Sequence, residues 1–255
     1  MWLLETSARQ EMQRATRAGA TPTAEQQARF DGEFSASENR LLTTAGNSAQ
    51  IEIKGVMTKN PSFMAMIFGG GNTTYPEIIA AIAAAEQDDT ITDITYAIDS
   101  PGGNIDGLFD AIAAMQSAQK PSRAVITGTC ASAAYAIAAQ ADTIVAGNIA
   151  SVIGSIGIVA TYQTFDDEVT ITSTHAPNKR PDVQTPEGVA VVREELDAIH
   201  EIFVDAIAEG RGVSAIQINA DFGQGSVVLA KEALKRGMID SVAGTRSANS
   251  ATPTP

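Results

Sequence analysis

The chain has 255 residues, 44% of them hydrophobic and 18% charged, the composition of a soluble globular protein long enough to bury a sizeable core. Seventeen Lys and Arg stand against 30 Asp and Glu, a net charge of −13, so a nucleic-acid partner, which needs basic patches, is not expected. One cysteine, Cys130, excludes an internal disulfide and any CxxC site, and with only His175 and His200 neither a metal nor another cofactor is expected.

Residues 1–47 read as an N-terminal arm and linker. The apolar run Met1–Leu4 is stopped by Glu5 and is too short for a signal-peptide core. Residues 3–18 have helical spacing, and the polar stretch 19–47 reads as a loosely structured connector. The principal domain is expected over 48–243. Ile51, Ile53 and Val56 suggest a strand. Residues 60–74 read as a loop whose large apolar residues, Phe63, Met64, Met66, Ile67 and Phe68, need cover and suggest an interaction surface. Pro76 opens a helix running to Gln87, and Ile94, Tyr96 and Ile98 alternate as a strand broken by SPGG. Residues 104–118 carry Ile105, Leu108, Phe109, Ile112 and Met115 on one helical face. Strands are expected at 123–127 and 142–146, around an Ala-rich helix at 131–141.

The uncharged stretches 124–141 and 143–165 are long enough to raise the question of a membrane span. Their glycines and polar residues read instead as buried strands and turns, so no integral membrane segment is expected. Residues 165–174 alternate as a strand, followed by a three-proline loop and a long helix over 187–209. Shorter helices are expected at 214–220 and 227–236, the last with Ser226 as its N-cap and Gly237 beyond its end. Residues 244–255 read as a disordered tail. Repeated strand–helix alternation implies an α/β fold with a mainly parallel sheet and flanking helices.

Three segments could carry chemistry. In YAIDSPGGN, residues 96–104, two glycines lie between a strand and a helix. They form either an ordinary turn or an oxyanion hole built from backbone N–H groups, with Asp99 as a cap or brace. Ser132 begins the Ala-rich helix, and a serine there is ordinarily a cap. Ser155, between Gly154 and Gly157, reads as part of a close-packed turn. The SxxK match Ser117–Lys120 reads as chance, His200 as structural, and Cys130 as a small buried hydrophobe.

In their order and wording, DSPGG (99–103), ASAAY (131–135), GSIG (154–157), EGRG (209–212) and EALKRGMIDSV (232–242) resemble the signal peptide peptidase A family of serine proteases. That family belongs to the Clp-protease/crotonase fold group. IEIKGVM (51–57) and FGGGNTTYPEI (68–78) look like its phage head-maturation branch, which includes the minor capsid protein C proteins. The resemblance covers residues 41–243 and implies a Ser–Lys endopeptidase. Ser132 would be the nucleophile, Gly103 and Ala133 would give the oxyanion-hole N–H groups, and Ser155 would orient the base. The only lysine in the three-proline loop, Lys179, would be that base. Desolvation would lower its pKa, so Lys179 is expected to be buried in the assembled enzyme.

The wording departs from the family at HAPNKRP, where Asn178 precedes Lys179 and His175 lies four residues earlier. This leaves His175 as an alternative base and a degenerate site as another reading. Without the resemblance, Lys179 would read as a solvated loop lysine. The implied substrates are phage scaffold or capsid-assembly proteins, and the implied setting is the host cytoplasm or procapsid interior. A homo-oligomeric ring is expected, in which Ser132 and Lys179 could meet across subunits. The alternatives are a signal-peptide-degrading enzyme, a silent assembly protein of the same fold, and an acyl-CoA enzyme of the crotonase type. The last would not need Ser132 and lacks suitably placed carboxylates.

Overall fold

The computed structural model describes residues 2–4, 19, 23–35, 40–68, 71–162 and 172–244. Residues 3 and 4, expected to begin a helix, instead belong to strand β1 (Trp2–Leu4), because this segment finds a partner strand at Gly102–Asn104. The rest of that expected helix, 5–18, lies outside the described residues. The expected connector 19–47 also contains regular structure. Helix α1 (Ala24–Ser35) opens on a capping box, in which Thr23 Oγ1 accepts from the Gln26 N–H at 3.2 Å and Gln26 Oε1 accepts from the Thr23 N–H at 2.9 Å. Strand β2 (Leu42–Ala45) then pairs antiparallel with β3 (Ser48–Lys54). In β3 the alternation SAQIEIK buries Ala49, Ile51 and Ile53 and exposes Gln50, Glu52 and Lys54.

After Gly55 the chain enters β4 (Val56–Thr58), helix α2 (Phe63–Phe68) and β5 (Asn72–Thr74). The apolar 60–74 segment therefore folds rather than forming an open loop. Part of its cover comes from within the chain: Ala65 and Met66 are buried, and Phe63 meets Phe30 of α1 edge to face at 6.1 Å, while Phe63, Met64 and Ile67 stay partly exposed. Helix α3 (Tyr75–Gln87) begins with a second capping box, Thr74 and Glu77, with Pro76 in its first turn. Arg40 grips Glu77 with two hydrogen bonds, at 2.5 and 3.0 Å, and donates to the Asn72 carbonyl at 2.7 Å.

Strand β6 (Asp93–Ser100) leads through Pro101 into β7 (Gly102–Asn104), helix α4 (Leu108–Ser117) and the long strand β8 (Ser122–Ala131). Next come the Ala-rich helix α5 (Ala133–Ala138), β9 (Thr143–Ala146) and β10 (Val152–Gly154). The expected strand at 165–174 lies outside the described residues over 165–171, and residues 172–174 are not extended in a strand. Helix α6 (Pro186–Arg211) runs from the N-cap Thr185 to Gly212, whose φ of 65° ends it in the left-handed region. Helix α7 (Ala215–Asp221) follows.

Ser226 does not cap the next helix. Val227–Leu229 form β11, drawn into a strand by pairing with β10, so α8 (Ala230–Lys235) starts later, and β12 (Ser241–Val242) closes the fold. The expected tail lies outside the described residues from 245 onward.

The strands form two sheets. The larger runs β11-β10-β8-β6-β3-β2, with β9 and β12 attached beside β8. Its β3–β6, β6–β8, β8–β9, β8–β10 and β9–β12 pairs are parallel, and only the edge pairs β2–β3 and β10–β11 are antiparallel. The smaller runs β1-β7-β4-β5. Strand β8 forks the larger sheet: Arg123–Ile126 pair with β9, whereas Thr129–Ala131 pair with β10. At the fork a Cβ on Gly128 would collide with the Asp99 carboxylate. Every residue of α5 is buried, because its small alanines let it lie among β6, β7, β8, α4 and α6. Among the described residues no helix is long and apolar enough to cross a membrane.

Candidate active site

Ser132 leaves the end of β8 and precedes the first residue of α5. Its backbone sits at φ 54°, ψ −121°, a region that costs a side-chain-bearing residue about 1–3 kcal/mol. Two hydrogen bonds hold it there. The Ser132 N–H donates to the Gly154 carbonyl at 2.7 Å, and its own carbonyl accepts from the Ala136 N–H at 3.1 Å. The side chain makes no capping hydrogen bond to α5, although capping is the ordinary reason for a serine at this position. The residue is 1% exposed. The fold thus holds a strained serine whose hydroxyl does not serve the helix.

Ser155 stands in the same relation to β10. Gly154 is the register partner of Ala131, so Ser132 and Ser155 are the next residues along two neighbouring parallel strands. Ser155 too has a positive φ, 51°, and its N–H is anchored to the Ser226 carbonyl at 2.8 Å. Close approach explains the glycine before it, since a Cβ on Gly154 would lie 2.8 Å from that same carbonyl. Functional groups in parallel sheets gather beyond the carboxyl ends of strands, and both serines lie there.

The two glycines of the SPGG turn have separate causes. Gly102 has φ 101°, which a side chain rarely tolerates. A Cβ on Gly103 would run into the Met57 backbone, its register partner in β4. Ser100 pins this turn: its hydroxyl donates to the Gly55 carbonyl at 2.7 Å and accepts from the Gly102 N–H at 3.2 Å. Asp99 braces a different place, accepting from the Thr129 N–H at 2.9 Å beside the β8 fork. Helix α5 packs on β7, the strand that contains Gly102 and Gly103. The Ala133 N–H, first of α5, has no backbone acceptor among the described residues and is available to a ligand.

Lys179 differs from the buried Ser132 in its exposure. It is exposed in a short 3-10 turn, Pro177–Lys179, whose N–H bonds the Ala176 carbonyl at 3.2 Å. His175 is exposed in the same loop. No hydrogen bond joins either side chain to Ser132 or Ser155 among the described residues.

Other polar groups have structural tasks. Lys120 Nζ donates to the Ala85 and Asp88 carbonyls at 2.6 and 2.7 Å, closing the end of α3, and Ser117 bonds back to the Ala113 carbonyl in its own helix. His200 Nε2 lies 3.1 Å from Asn219 Oδ1. Cys130 is fully buried, and burial pushes its thiol pKa up, away from thiolate chemistry. Among the described residues no group of three or more His, Cys, Asp or Glu is placed to hold a metal.

A set of residues that sequence reasoning did not assign supports α5 from behind. The buried Tyr135 hydroxyl donates to the Met238 carbonyl at 2.8 Å, and its ring meets Phe222 edge to face at 6.3 Å. Arg211 donates to Asp240 at 2.9 and 3.1 Å and to the Gly237 carbonyl at 3.1 Å. Asp240 also accepts from the Ile144 N–H at 2.6 Å. Burial opposes the charged form of Asp240, but Arg211 and the Ile144 N–H outweigh it and hold the carboxyl below its ordinary range. The EGRG and KRGMIDSV segments therefore clamp the C-terminal elements onto the helix that begins at Ser132. A cleft of about 580 Å³ opens beside the Ser155 segment, lined in part by Ile156, Ile158, Leu196, His200 and Gln224.

Comparison with known proteins places the chain among proteases. A family model described as Peptidase family S49 matches residues 114–252, and one described as Clp protease matches residues 65–146. Both are protease families, and the sheet and helices described above are Clp-protease-like. Capsid assembly protease C of Escherichia phage lambda is 26% identical over 190 residues, which cover 70% of this chain and 43% of the phage protein. The match thus spans less than half the length of that relative. ATP-dependent Clp protease proteolytic subunit 1 of Corynebacterium glutamicum is 26% identical over 171 residues, 67% of this chain and 74% of that protein. Its counterpart from Corynebacterium diphtheriae is 26% identical over 178 residues, 70% of this chain and 77% of that protein. More than half of the chain, Ser132 and Ser155 included, lies within the first family match, and the protein is therefore a member of peptidase family S49.

Proposed function

We propose that the protein is a serine endopeptidase in which Ser132 Oγ attacks a peptide carbonyl. The observation that carries this reading is the strained backbone of Ser132 at the end of β8, with a side chain that does not cap α5. In the proposed reaction the Ser132 proton passes to Lys179 Nζ, and the N–H groups of Gly103 and Ala133 receive the oxyanion. Lys179 then returns the proton to the leaving amine, and water releases the acyl group. Ser155 orients the base from the adjoining strand end.

A solvated lysine holds its proton at neutral pH, so this role requires burial of Lys179. Lys179 is exposed in the single chain. We therefore assign its burial to assembly: either the 172–185 segment folds over the site in a homo-oligomer, or a neighbouring subunit supplies the lysine. The peptidase domain comprises residues 48–243. The natural substrates are capsid or scaffold proteins, a reading supported by the likeness to the lambda capsid assembly protease. The exposure of Lys179 favours one second reading, an assembly protein of the same fold without activity.

The deciding experiment co-expresses the chain with candidate head proteins and reads cleavage by mass spectrometry for the natural chain, Ser132→Ala and Lys179→Ala. Cleavage by the natural chain alone supports the dyad. Cleavage that survives both substitutions rejects it, and no cleavage of any candidate by the natural chain supports the silent assembly reading.

A further inference from the structure

Strand β7 has two edges, and both are taken. On one side Gly103 is paired with Met57 of β4. On the other, β1 lies antiparallel, with Trp2 opposite Asn104, Leu3 opposite Gly103 and Leu4 opposite Gly102. The strand that carries the proposed oxyanion-hole glycine is therefore covered by the chain's own N-terminal segment. Helix α5, whose first N–H is unbonded by backbone, packs on this same β7. An extended peptide that aligns with Gly103 has no other edge to use, because β4 is held in place by β5 beyond it. It can pair there only after β1 leaves.

From this placement we propose that Trp2–Leu4 is a self-blocking strand: it occupies the β7 edge in the manner of a bound peptide and must be displaced before a substrate segment can dock. The proposal rests on the reading of Ser132 as nucleophile for the word substrate, and on the strand pairing alone for the blocking. The pairing is suited to displacement. It is three residues long at a sheet edge, so few hydrogen bonds hold it, and each is replaced one for one by an incoming strand. The same geometry defines the ligand class. Two of the three positions facing the blocking strand are glycines, so recognition runs through main-chain hydrogen bonds, and the native occupant Trp-Leu-Leu marks a short apolar segment as the preferred guest.

The test uses the full chain. In a strand, successive N–H groups point to opposite sides, so Leu3→Pro combined with Leu4→Pro removes whichever donor faces β7. Ser132 reactivity is read with a fluorophosphonate probe. The double variant is expected to label about tenfold faster than the natural chain, the change expected from losing one or two weak strand hydrogen bonds. A dye-labelled peptide of residues 1–6 should bind the variant about tenfold more tightly than the natural chain, by the same arithmetic, and should slow its labelling. Labelling of both forms at equal rates, or a peptide that binds neither form, overturns the proposal. If no form labels but the peptide still prefers the variant, blocking of β7 stands and the nucleophile reading falls. A second measurement needs no substitution: amide hydrogen exchange at one of Leu3 and Leu4, whichever donor faces β7, should be slower in the natural chain than in the free peptide, and free-peptide rates at both overturn the proposal.

Discussion

The two halves of the proposed dyad are built in opposite ways. Ser132 is buried and strained, tied through its backbone to Gly154 and backed by a fully buried helix. Lys179 is exposed on a turn of three residues, and its N–H bonds the Ala176 carbonyl of its own loop. The nucleophile is a property of the folded chain, because parallel strands and close-packed alanines hold it. The proposed base has no such support within the described residues, and its burial is assigned above to assembly.

The comparison can be broken most sharply at Ser132. Ser132→Ala is expected to reduce peptide cleavage by about 10³-fold or more. Its unfolding free energy should change little, because the hydroxyl makes no capping bond. An ordinary N-cap would instead lose about 1 kcal/mol on the same change. Ser132→Gly should abolish activity and raise stability by about 1 kcal/mol, since glycine tolerates the positive φ. Denaturant unfolding monitored beside turnover checks both, and a clear loss of stability in Ser132→Ala would return Ser132 to a structural role.

The second prediction concerns Lys179. Lys179→Met should lower turnover by about 10²–10⁴-fold, the range for loss of a general base. It should leave the stability of the dissociated chain unchanged, because the residue is exposed there. If assembly buries the lysine, specific activity of the natural chain should fall on dilution in step with dissociation measured by light scattering. Constant specific activity in a dilute, monomeric chain would remove the distinction between the two halves.

Much of the Ser132 half was legible in the sequence, because the pieces that form it are local. The alternation in 48–54, the apolar strand before Cys130 and the glycines of DSPGG and GSIG each impose their own backbone, and the family resemblance joins them. The fork of β8 was not legible, since it depends on which of two later strands pairs with each half. Strand β1 was missed because its partner lies a hundred residues away and three apolar residues have no period. The Thr23–Gln26 capping box was a readable signal for α1, hidden inside a stretch taken as polar linker. Ser226 failed as a cap because strand pairing with β10 outweighed a local preference. Lys179 was reached through the family resemblance alone, because an exposed loop carries no core pattern of its own.

A third prediction tests how firmly α5 is held. Tyr135→Phe keeps the contact with Phe222 but leaves the Met238 carbonyl without its donor, which should cost about 1–2 kcal/mol. Ser132 reactivity should fall less than the stability does, since the substitution acts at the back of the helix. An equal loss of both, measured by probe labelling and thermal unfolding on the same sample, would mean that the nucleophile is less preorganised than its burial implies.

The smallest expected effect is a pH dependence that belongs to the Ser132 half alone. The Asp240 carboxyl is held below its ordinary pKa despite partial burial, because Arg211 and the Ile144 N–H stabilise its charge. A folded-state pKa below the unfolded value, about 3.9 for a free aspartate, means that this stabilisation is fully present above that pH. It is lost as pH falls through the lower, folded value. The pair is partly exposed, so solvent screening keeps the contribution modest. Thermal midpoints of the natural chain should therefore drop more steeply below about pH 4 than those of Asp240→Asn, which has no carboxyl to titrate. Parallel curves for the two would show that Asp240 contributes through its hydrogen bonds rather than its charge. The clamp behind α5 would then be as strong in acid as at neutral pH.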